Sequence, residues 1–258
     1  MKWNVRHLAA STLMAFTAVS QAAVVTSQPY DLGLQGAATL TFSQDVLDTL
    51  SIYTPTVAPY GWAYAPYVTK DQDGNYSNML SAAPINSLTW DNSTNQLLRF
   101  GTTGGLTLTV PQRTAVSSGG SLTVTDLDAD LSTKTVYATI IGTNGVGTIS
   151  HLALWTFSGI GGSTSLSASN LTLTNLAITT QGFNAFKQSL GLLALGRAAL
   201  AGVTDYGTLS ALVKSPLDLG APPPWYVSSL PEPSTYAFMG LGLVGIGAIS
   251  RRRHAAND

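Results

Sequence analysis

Residues that could carry acid–base chemistry are sparse in this sequence. Of its three histidines only His151 lies away from the chain ends, and the only glutamate is Glu232. A hydrolase needs such a base beside a nucleophile or a metal ion, yet neither Gly-x-Ser-x-Gly nor His-Glu-x-x-His occurs. His151 starts an apolar run that reaches Trp155, so we interpret it as a hydrogen-bonded histidine at a strand end. We therefore predict no catalytic residue.

Aspartates are the remaining candidates for metal chemistry. Asp126, Asp128 and Asp130 alternate along one segment, which would place them on one face of a continuous strand, where like charges repel. Calcium could relieve that repulsion, so these three are the candidate metal ligands. Solvated aspartates that face water are the alternative, and we expect those. The sequence predicts no metal ion and no other cofactor.

One aromatic-rich segment is the only hint of a binding surface. Between residues 53 and 76, six tyrosine and tryptophan residues alternate with three prolines, which predicts a long loop with at most an edge strand. Tyrosine and tryptophan combine a flat apolar face with a polar tip, a combination suited to sugar rings. The candidate glycan-binding residues are Tyr60, Trp62, Tyr64 and Tyr67. The alternative, that these rings pack on the domain itself, also stays open.

The composition restricts the class of partner. The formal net charge is −1, charged residues make up only 10% of the chain, and cysteine is absent. Without a basic cluster in the body of the chain, nucleic-acid binding has no electrostatic basis. Without cysteine, neither disulfides nor thiol chemistry contribute, so stability must come from an apolar core.

The elements that must position these residues are mainly strands. Leu106, Leu108 and Val110 alternate with threonines, the pattern of a half-buried strand, and further strands are predicted at 37–42, 135–141 and 151–157. Segments 85–90 and 97–100, joined by a turn at 91–95, predict a hairpin. In 121–131 and 170–180 apolar residues occupy every second position, but this alternation shifts by one residue partway along each segment. A β-bulge at Asp126 and at Asn175, or a strand that changes sheets there, would restore the inward face.

Only residues 183–201 show helical spacing, with Phe183, Phe186, Leu190 and Leu193 on one stripe. The predicted fold is thus mainly β: a single antiparallel β-sandwich with one short helix, occupying residues 24–214. Prolines then mark residues 215–230 as a stiff linker.

Both ends of the chain have the composition of addressing segments. Residues 1–23 combine a basic start, a short apolar run and a small-residue cleavage site, which predicts a secretory signal peptide with a helical core. Near the other end, Pro231-Glu232-Pro233-Ser234-Thr235 precede an uncharged segment, 236–250, that we predict to be a short transmembrane helix. The arginines that follow should stay cytoplasmic; they are Arg251, Arg252 and Arg253.

The order of these C-terminal parts in residues 231–258 resembles the PEP-CTERM sorting signal. The resemblance implies that an exosortase recognises Pro231-Glu232-Pro233, that the protein passes through the inner membrane of a Gram-negative bacterium, and that it reaches the cell surface or extracellular matrix. It also implies an association with exopolysaccharide and biofilm.

Three functional hypotheses follow. The first is an exported, non-enzymatic surface protein sorted by exosortase. The second, from another class, is a carbohydrate-binding module that uses the aromatic segment. The third is an enzyme of unrecognised type built on aspartates.

Overall fold

The structure is a computed structural model that describes residues 23–166 and 169–214. The predicted signal peptide (apart from its last residue, Ala23), the linker, the transmembrane segment 236–250 and the sorting motif lie outside the described residues.

Strands dominate the described part of the chain. They are β1 (Val24–Ser27), β2 (Gln35–Phe42), β3 (Thr56–Tyr60), β4 (Tyr67–Lys70), β5 (Tyr76–Asp91), β6 (Gln96–Thr102), β7 (Gly105–Arg113), β8 (Ser117–Asp130), β9 (Thr135–Gly142), β10 (Gly147–Thr156), β11 (Gly159–Ser163), β12 (Ser169–Thr174), β13 (Ala177–Ile178) and β14 (Gly207–Lys214). The α-helices are α1 (Gln44–Tyr53), α2 (Thr180–Ser189) and α3 (Ala194–Gly202), and a short 3-10 helix spans Pro29–Leu32.

All of these strands join one curled antiparallel sheet. Its main path runs β11-β12-β14-β2-β5-β6-β8-β9-β10-β13, with β1 and β4 added on β5, β7 on β8 and β3 on β7. The long strand β5 connects the two parts: Leu80–Pro84 pair with β2, whereas Ile85–Asp91 pair with β6. The expectation of a mainly β, antiparallel domain is confirmed. One continuous sheet replaces the two separate sheets of the predicted sandwich, because β5 belongs to both parts.

The apolar core follows the alternation of the strands. Leu106, Leu108 and Val110 are buried as predicted, and β14 buries every second residue along its whole length. The helices pack against one another and against this core, α1 against β5 and α3, and α2 against β9 and β10.

The two predicted phase slips are confirmed. The pairing of β8 with β9 shifts between Thr125 and Asp128, and Asp126 has the left-handed φ of 51° that absorbs the extra residue. Asn175, with φ 58°, separates β12 from β13, which pair with strands at different ends of the sheet. A bulge explains the first slip, and a change of sheet partner explains the second.

The prediction of a single short helix is wrong for the described residues, which form three α-helices. The segment 183–201 is divided at Gly191, whose φ is 59°. The Gly191 carbonyl accepts a hydrogen bond from Ser118 N, and Leu193 N donates to Val116 O. The backbone between α2 and α3 therefore pairs with the start of β8 instead of continuing the helix. None of the described helices is long and apolar enough to span a membrane.

The helix α1 was not predicted from the sequence. Ser43 caps its N terminus by accepting a hydrogen bond from Val46 N at 3.3 Å. Val46, Leu50 and Tyr53, spaced by four and three residues, face the core. Both signals are present in the sequence between Ser43 and Tyr53.

Candidate functional site

The aromatic segment separates into buried and exposed rings. Tyr53 ends α1 and Tyr76 starts β5, and both are buried. Between them Tyr60, Trp62 and Tyr67 are exposed by 41%, 79% and 43%. Tyr60 and Tyr67 belong to strands β3 and β4, and Trp62 occupies the turn that follows β3. Of the four predicted glycan-binding residues, these three offer surface to a partner.

Tyr64 is placed differently. Its side chain is half-buried, and its backbone N–H donates to Ala82 O of β5 at 2.9 Å. Its backbone thus fastens the segment to the sheet.

The turn that carries Trp62 rests directly on Gly104. The turn closes with a hydrogen bond from Ala63 N to Tyr60 O at 3.3 Å. A Cβ atom on Gly104 would lie 2.4 Å from Ala63 N and 2.7 Å from Trp62 N, and Gly104 has a φ of 86°. Both the contact and the left-handed backbone require glycine. We call residues 60–63, seated on Gly104, the aromatic turn.

Asp126 holds Gly104 in place from the neighbouring strand. Its Oδ1 accepts a hydrogen bond from Gly104 N at 3.0 Å, and its own N–H donates to Gly104 O at 3.2 Å. The bulge in β8 therefore aims the Asp126 carboxylate at the backbone under the aromatic turn. This is a positioning role, and it differs from the metal-ligand role that the sequence suggested.

The other two candidate metal ligands have different partners. Asp128 Oδ2 lies 3.2 Å from His151 Nε2, and Asp130 Oδ2 accepts from Arg99 Nη2 at 3.2 Å. Arg99 Nε also lies 3.2 Å from Asp128 Oδ1, an ion-pair contact that lacks hydrogen-bond alignment. Within residues 23–166 and 169–214, no group of three or more acidic, histidine or cysteine side chains is arranged to hold a metal ion.

His151 completes a network across four strands of the sheet. Its ring stacks on Tyr137 of β9, with centroids 4.1 Å apart and planes 11° apart, and reaches Asp128 of β8. A second register shift, in β10, and a φ of 51° at His151 make this reach possible. With Arg99 from β6, the network joins residues more than fifty positions apart. The predicted hydrogen bond of His151 is present, but its predicted place at a strand end is wrong, because His151 lies within β10. Its partners could not be predicted, since the strand order is a long-range property.

Asp130 also stabilises the hairpin turn after β8. Partial burial favours the neutral carboxyl, but hydrogen bonds from Ser132 and Thr133 and the charge of Arg99 outweigh it and lower the pKa of Asp130. Asp91 forms the equivalent turn before β6, where hydrogen bonds from Ser93 lower its pKa. These two aspartates therefore have structural roles.

Comparison with known proteins identifies the C-terminal segment. The PEP-CTERM protein-sorting motif matches residues 229–253, which confirms the predicted sorting signal. The matched range contains both the Pro-Glu-Pro sequence and the arginines. The motif implies that an exosortase recognises the protein and that a bacterium exports it to the cell surface or beyond.

A solved structure resembles the described domain weakly. The crystal structure of the C-terminal domain of HtaA from Corynebacterium glutamicum aligns with a TM-score of 0.40 at 11% identity, over 70% of this chain and 99% of that chain. A structural similarity this weak gives no information about function. No curated protein matches the sequence.

Proposed function

We propose that residues 24–214 form a non-catalytic domain that acts in the exopolysaccharide matrix or biofilm of a Gram-negative bacterium. In this proposal the domain crosses the inner membrane behind its signal peptide, and exosortase then removes the segment after Pro231-Glu232-Pro233. The sorting motif at 229–253 is the observation that carries the proposal. The low charge of the chain suits a surface that meets neutral polysaccharide.

A motif variant tests the sorting step. In a bacterium that has an exosortase, Glu232→Ala should remain in the inner membrane, whereas the unaltered protein should reach the surface fraction or the medium. Asp218→Asn is the matched control, because it removes an acidic residue ahead of the motif. Equal surface delivery of Glu232→Ala and the control would refute recognition through Pro231-Glu232-Pro233.

The exposed rings favour a second candidate function, the binding of polysaccharide through the aromatic turn. Trp62 is 79% exposed, and in the sequence the exposed Tyr60 on β3 precedes it and the exposed Tyr67 on β4 follows it. Exposed rings on a firmly seated turn could stack on sugar rings without a large ordering cost, since the backbone under them is already fixed.

Affinity electrophoresis in gels that contain the host's exopolysaccharide tests this binding. We expect the exported protein to be retarded and Trp62→Ala to migrate freely. The matched control is Tyr30→Ala, which removes an aromatic ring that is 84% exposed but belongs to the 3-10 helix. Retardation that survives Trp62→Ala, or that both variants lose equally, would exclude the aromatic turn as the binding surface.

A further inference from the structure

A surface cleft of about 350 Å³ opens between the 3-10 helix and strands β2 and β5. Its volume falls within the range of about 300–1,000 Å³ that is typical of ligand pockets. Tyrosines, a proline and side-chain amides make up most of its lining, namely Gln28, Tyr30, Gln35, Tyr64, Pro84 and Asn86. Among the described residues that line the cleft, none carries a charge. Because an unpaired charge is costly to remove from water, the cleft favours a neutral ligand.

Tyr30 lines this cleft on a fixed backbone. The 3-10 turn closes through hydrogen bonds from Gly33 N to Tyr30 O at 3.0 Å and from Leu34 N to Pro29 O at 2.9 Å. Pro29 is buried, whereas Tyr30 is 84% exposed. The ring of Tyr30 therefore contributes little to the core, and it can meet a ligand without ordering of the backbone that carries it.

The last described residue, Lys214, lies beside the cleft. Lys214 ends β14 and pairs with Gln35 of β2, which lines the cleft. Paired strands lie about 4.8 Å apart, so the chain leaves the sheet close to the cleft. The next seven residues, 215–221, can extend over as much as about 25 Å. Whatever follows them is within reach of the cleft.

Three consecutive prolines follow, Pro222-Pro223-Pro224. Consecutive prolines favour the polyproline II conformation, which has no internal hydrogen bonds and leaves its carbonyl groups available as acceptors. Segments of this kind dock in grooves that aromatic side chains line. The cleft offers the rings of Tyr30 and Tyr64. Its side-chain amides can donate hydrogen bonds to the carbonyl groups.

We propose that Pro222-Pro223-Pro224 dock in this cleft of the same chain in the polyproline II conformation. A short connection gives the segment an effective concentration in the millimolar range, so a weak affinity is enough for docking. Seven residues lead from Pro224 to Pro231, and they span at most about 25 Å. Docking thus limits the distance between the folded domain and the sorting motif.

The distance between two spin labels tests the docking in the full chain, solubilised in detergent. The sequence contains no cysteine, so Asp31→Cys and Ala221→Cys supply the only two labelling sites. If the prolines dock, the labels should give one narrow distance peak. A broad distribution alone, as an undocked segment would produce, would overturn the proposal.

Substitutions on both sides of the contact identify the surfaces that meet. Tyr30→Ala removes a ring from the cleft, and Pro223→Ala interrupts the proline segment. Each should lower the ratio of the narrow to the broad component roughly fivefold, as loss of one ring contact does. Tyr67→Ala and Pro216→Ala are the matched controls, because Tyr67 is an exposed tyrosine outside the cleft and Pro216 is a proline outside the segment. Equal ratios in the test and control variants would contradict the proposal.

Two further measurements distinguish other occupants. A narrow peak between chains that carry one label each would place the prolines on a second copy and contradict docking within one chain. An excess of a free peptide with the sequence of residues 220–226 should broaden the distribution by competing for the cleft. A narrow peak that persists at saturating peptide would show that the segment is held elsewhere. None of these measurements requires an exosortase, so their outcome is independent of the proposed function.

Discussion

Two groups of aromatic side chains occupy opposite environments in this protein. Trp155, Tyr206 and Tyr53 lie inside, between the sheet and the helices, whereas Trp62 and Tyr60 project from the aromatic turn. Trp155 is 2% exposed and Trp62 is 79% exposed. We call the first three the inner rings and the last two the outer rings.

The contrast separates rings that stabilise the fold from rings that are free to meet a partner. Burial of an aromatic side chain contributes to stability in proportion to the apolar area removed from water. The inner rings obtain this contribution, and the outer rings forgo most of it. The turn that carries the outer rings packs on Gly104, and Asp126 accepts a hydrogen bond from Gly104 N.

The largest expected effect is on an inner ring. Trp155→Ala should lower the free energy of unfolding by about 3–5 kcal/mol, because it deletes a fully buried side chain and enlarges an existing cavity. Equilibrium denaturation in urea measures this change. A loss below about 1 kcal/mol would mean that the inner rings are not what holds the sheet to the helices.

Alkaline pH should lower the stability of the protein through two of the inner rings, Tyr53 and Tyr206. Burial raises the pKa of Tyr53 and of Tyr206. A group whose folded pKa lies above its unfolded value stabilises the protein fully below the unfolded value, about 10 for tyrosine, and this contribution is lost as the pH rises toward the folded pKa.

We therefore expect the free energy of unfolding to fall as the pH rises above about 10, with a smaller fall in the Tyr53→Phe/Tyr206→Phe double variant. Denaturation at stepped pH, with tyrosinate absorbance as a second signal, measures it. A double variant with the same alkaline slope as the unaltered protein would contradict burial of these hydroxyls.

The next largest loss of stability is expected at Gly104, on which the turn with the outer rings packs. Gly104→Ala should cost about 3 kcal/mol, because the new Cβ meets backbone atoms at 2.4 and 2.7 Å in a left-handed conformation. Gly33→Ala is the control: its φ is 64° and no atom lies within 4 Å of its Cβ position, so it should cost only about 1 kcal/mol of backbone strain. Equal costs would show that the turn does not rest on Gly104.

Asp126 should give a smaller effect. Asp126→Ala removes the acceptor for Gly104 N and places alanine at a φ of 51°, for which we expect a loss of about 1–2 kcal/mol. Asp126→Asn should recover most of it, since asparagine keeps an oxygen acceptor and tolerates the left-handed region. Calcium should stabilise neither the unaltered protein nor the variants. A calcium-dependent rise in the melting temperature would restore the metal-ligand interpretation.

The smallest effect on stability is expected for the outer rings themselves. Trp62→Ala should change the free energy of unfolding by less than about 0.5 kcal/mol, although we expect it to abolish retardation by polysaccharide. A larger loss of stability would place Trp62 among the rings that support the fold.

Features set by neighbouring residues could be predicted from the sequence, whereas the pairing of distant strands could not. The alternation at Leu106, Leu108 and Val110 predicted β7, and the phase slip predicted the bulge at Asp126, because side-chain period is a property of neighbouring residues. The helix α1 carried local signals as well, but a ten-residue element between strands was overlooked. In contrast, nothing local shows that β5 belongs to two parts of the sheet.

The candidate site shows the same division. The aromatic composition of residues 53–76 left a binding surface and packed rings open, and both occur, since Trp62 is exposed whereas Tyr53 and Tyr76 are buried. The prediction of a long loop with at most one edge strand is wrong, because the segment contains the two strands β3 and β4. The sequence could not reveal that Gly104 and Asp126 support it, because those contacts join positions more than twenty and forty residues apart. The network of Arg99, Asp128 and His151 was equally hidden, since it depends on the order of β6, β8, β9 and β10.

Intact-mass analysis of the form found outside the cell tests the central claim most directly. If the chain is exported and sorted as proposed, its mass should correspond to a polypeptide that begins at residue 23 or 24 and lacks the apolar segment 236–250. A full-length mass, with both ends retained and the protein in the cytosol, would contradict the account.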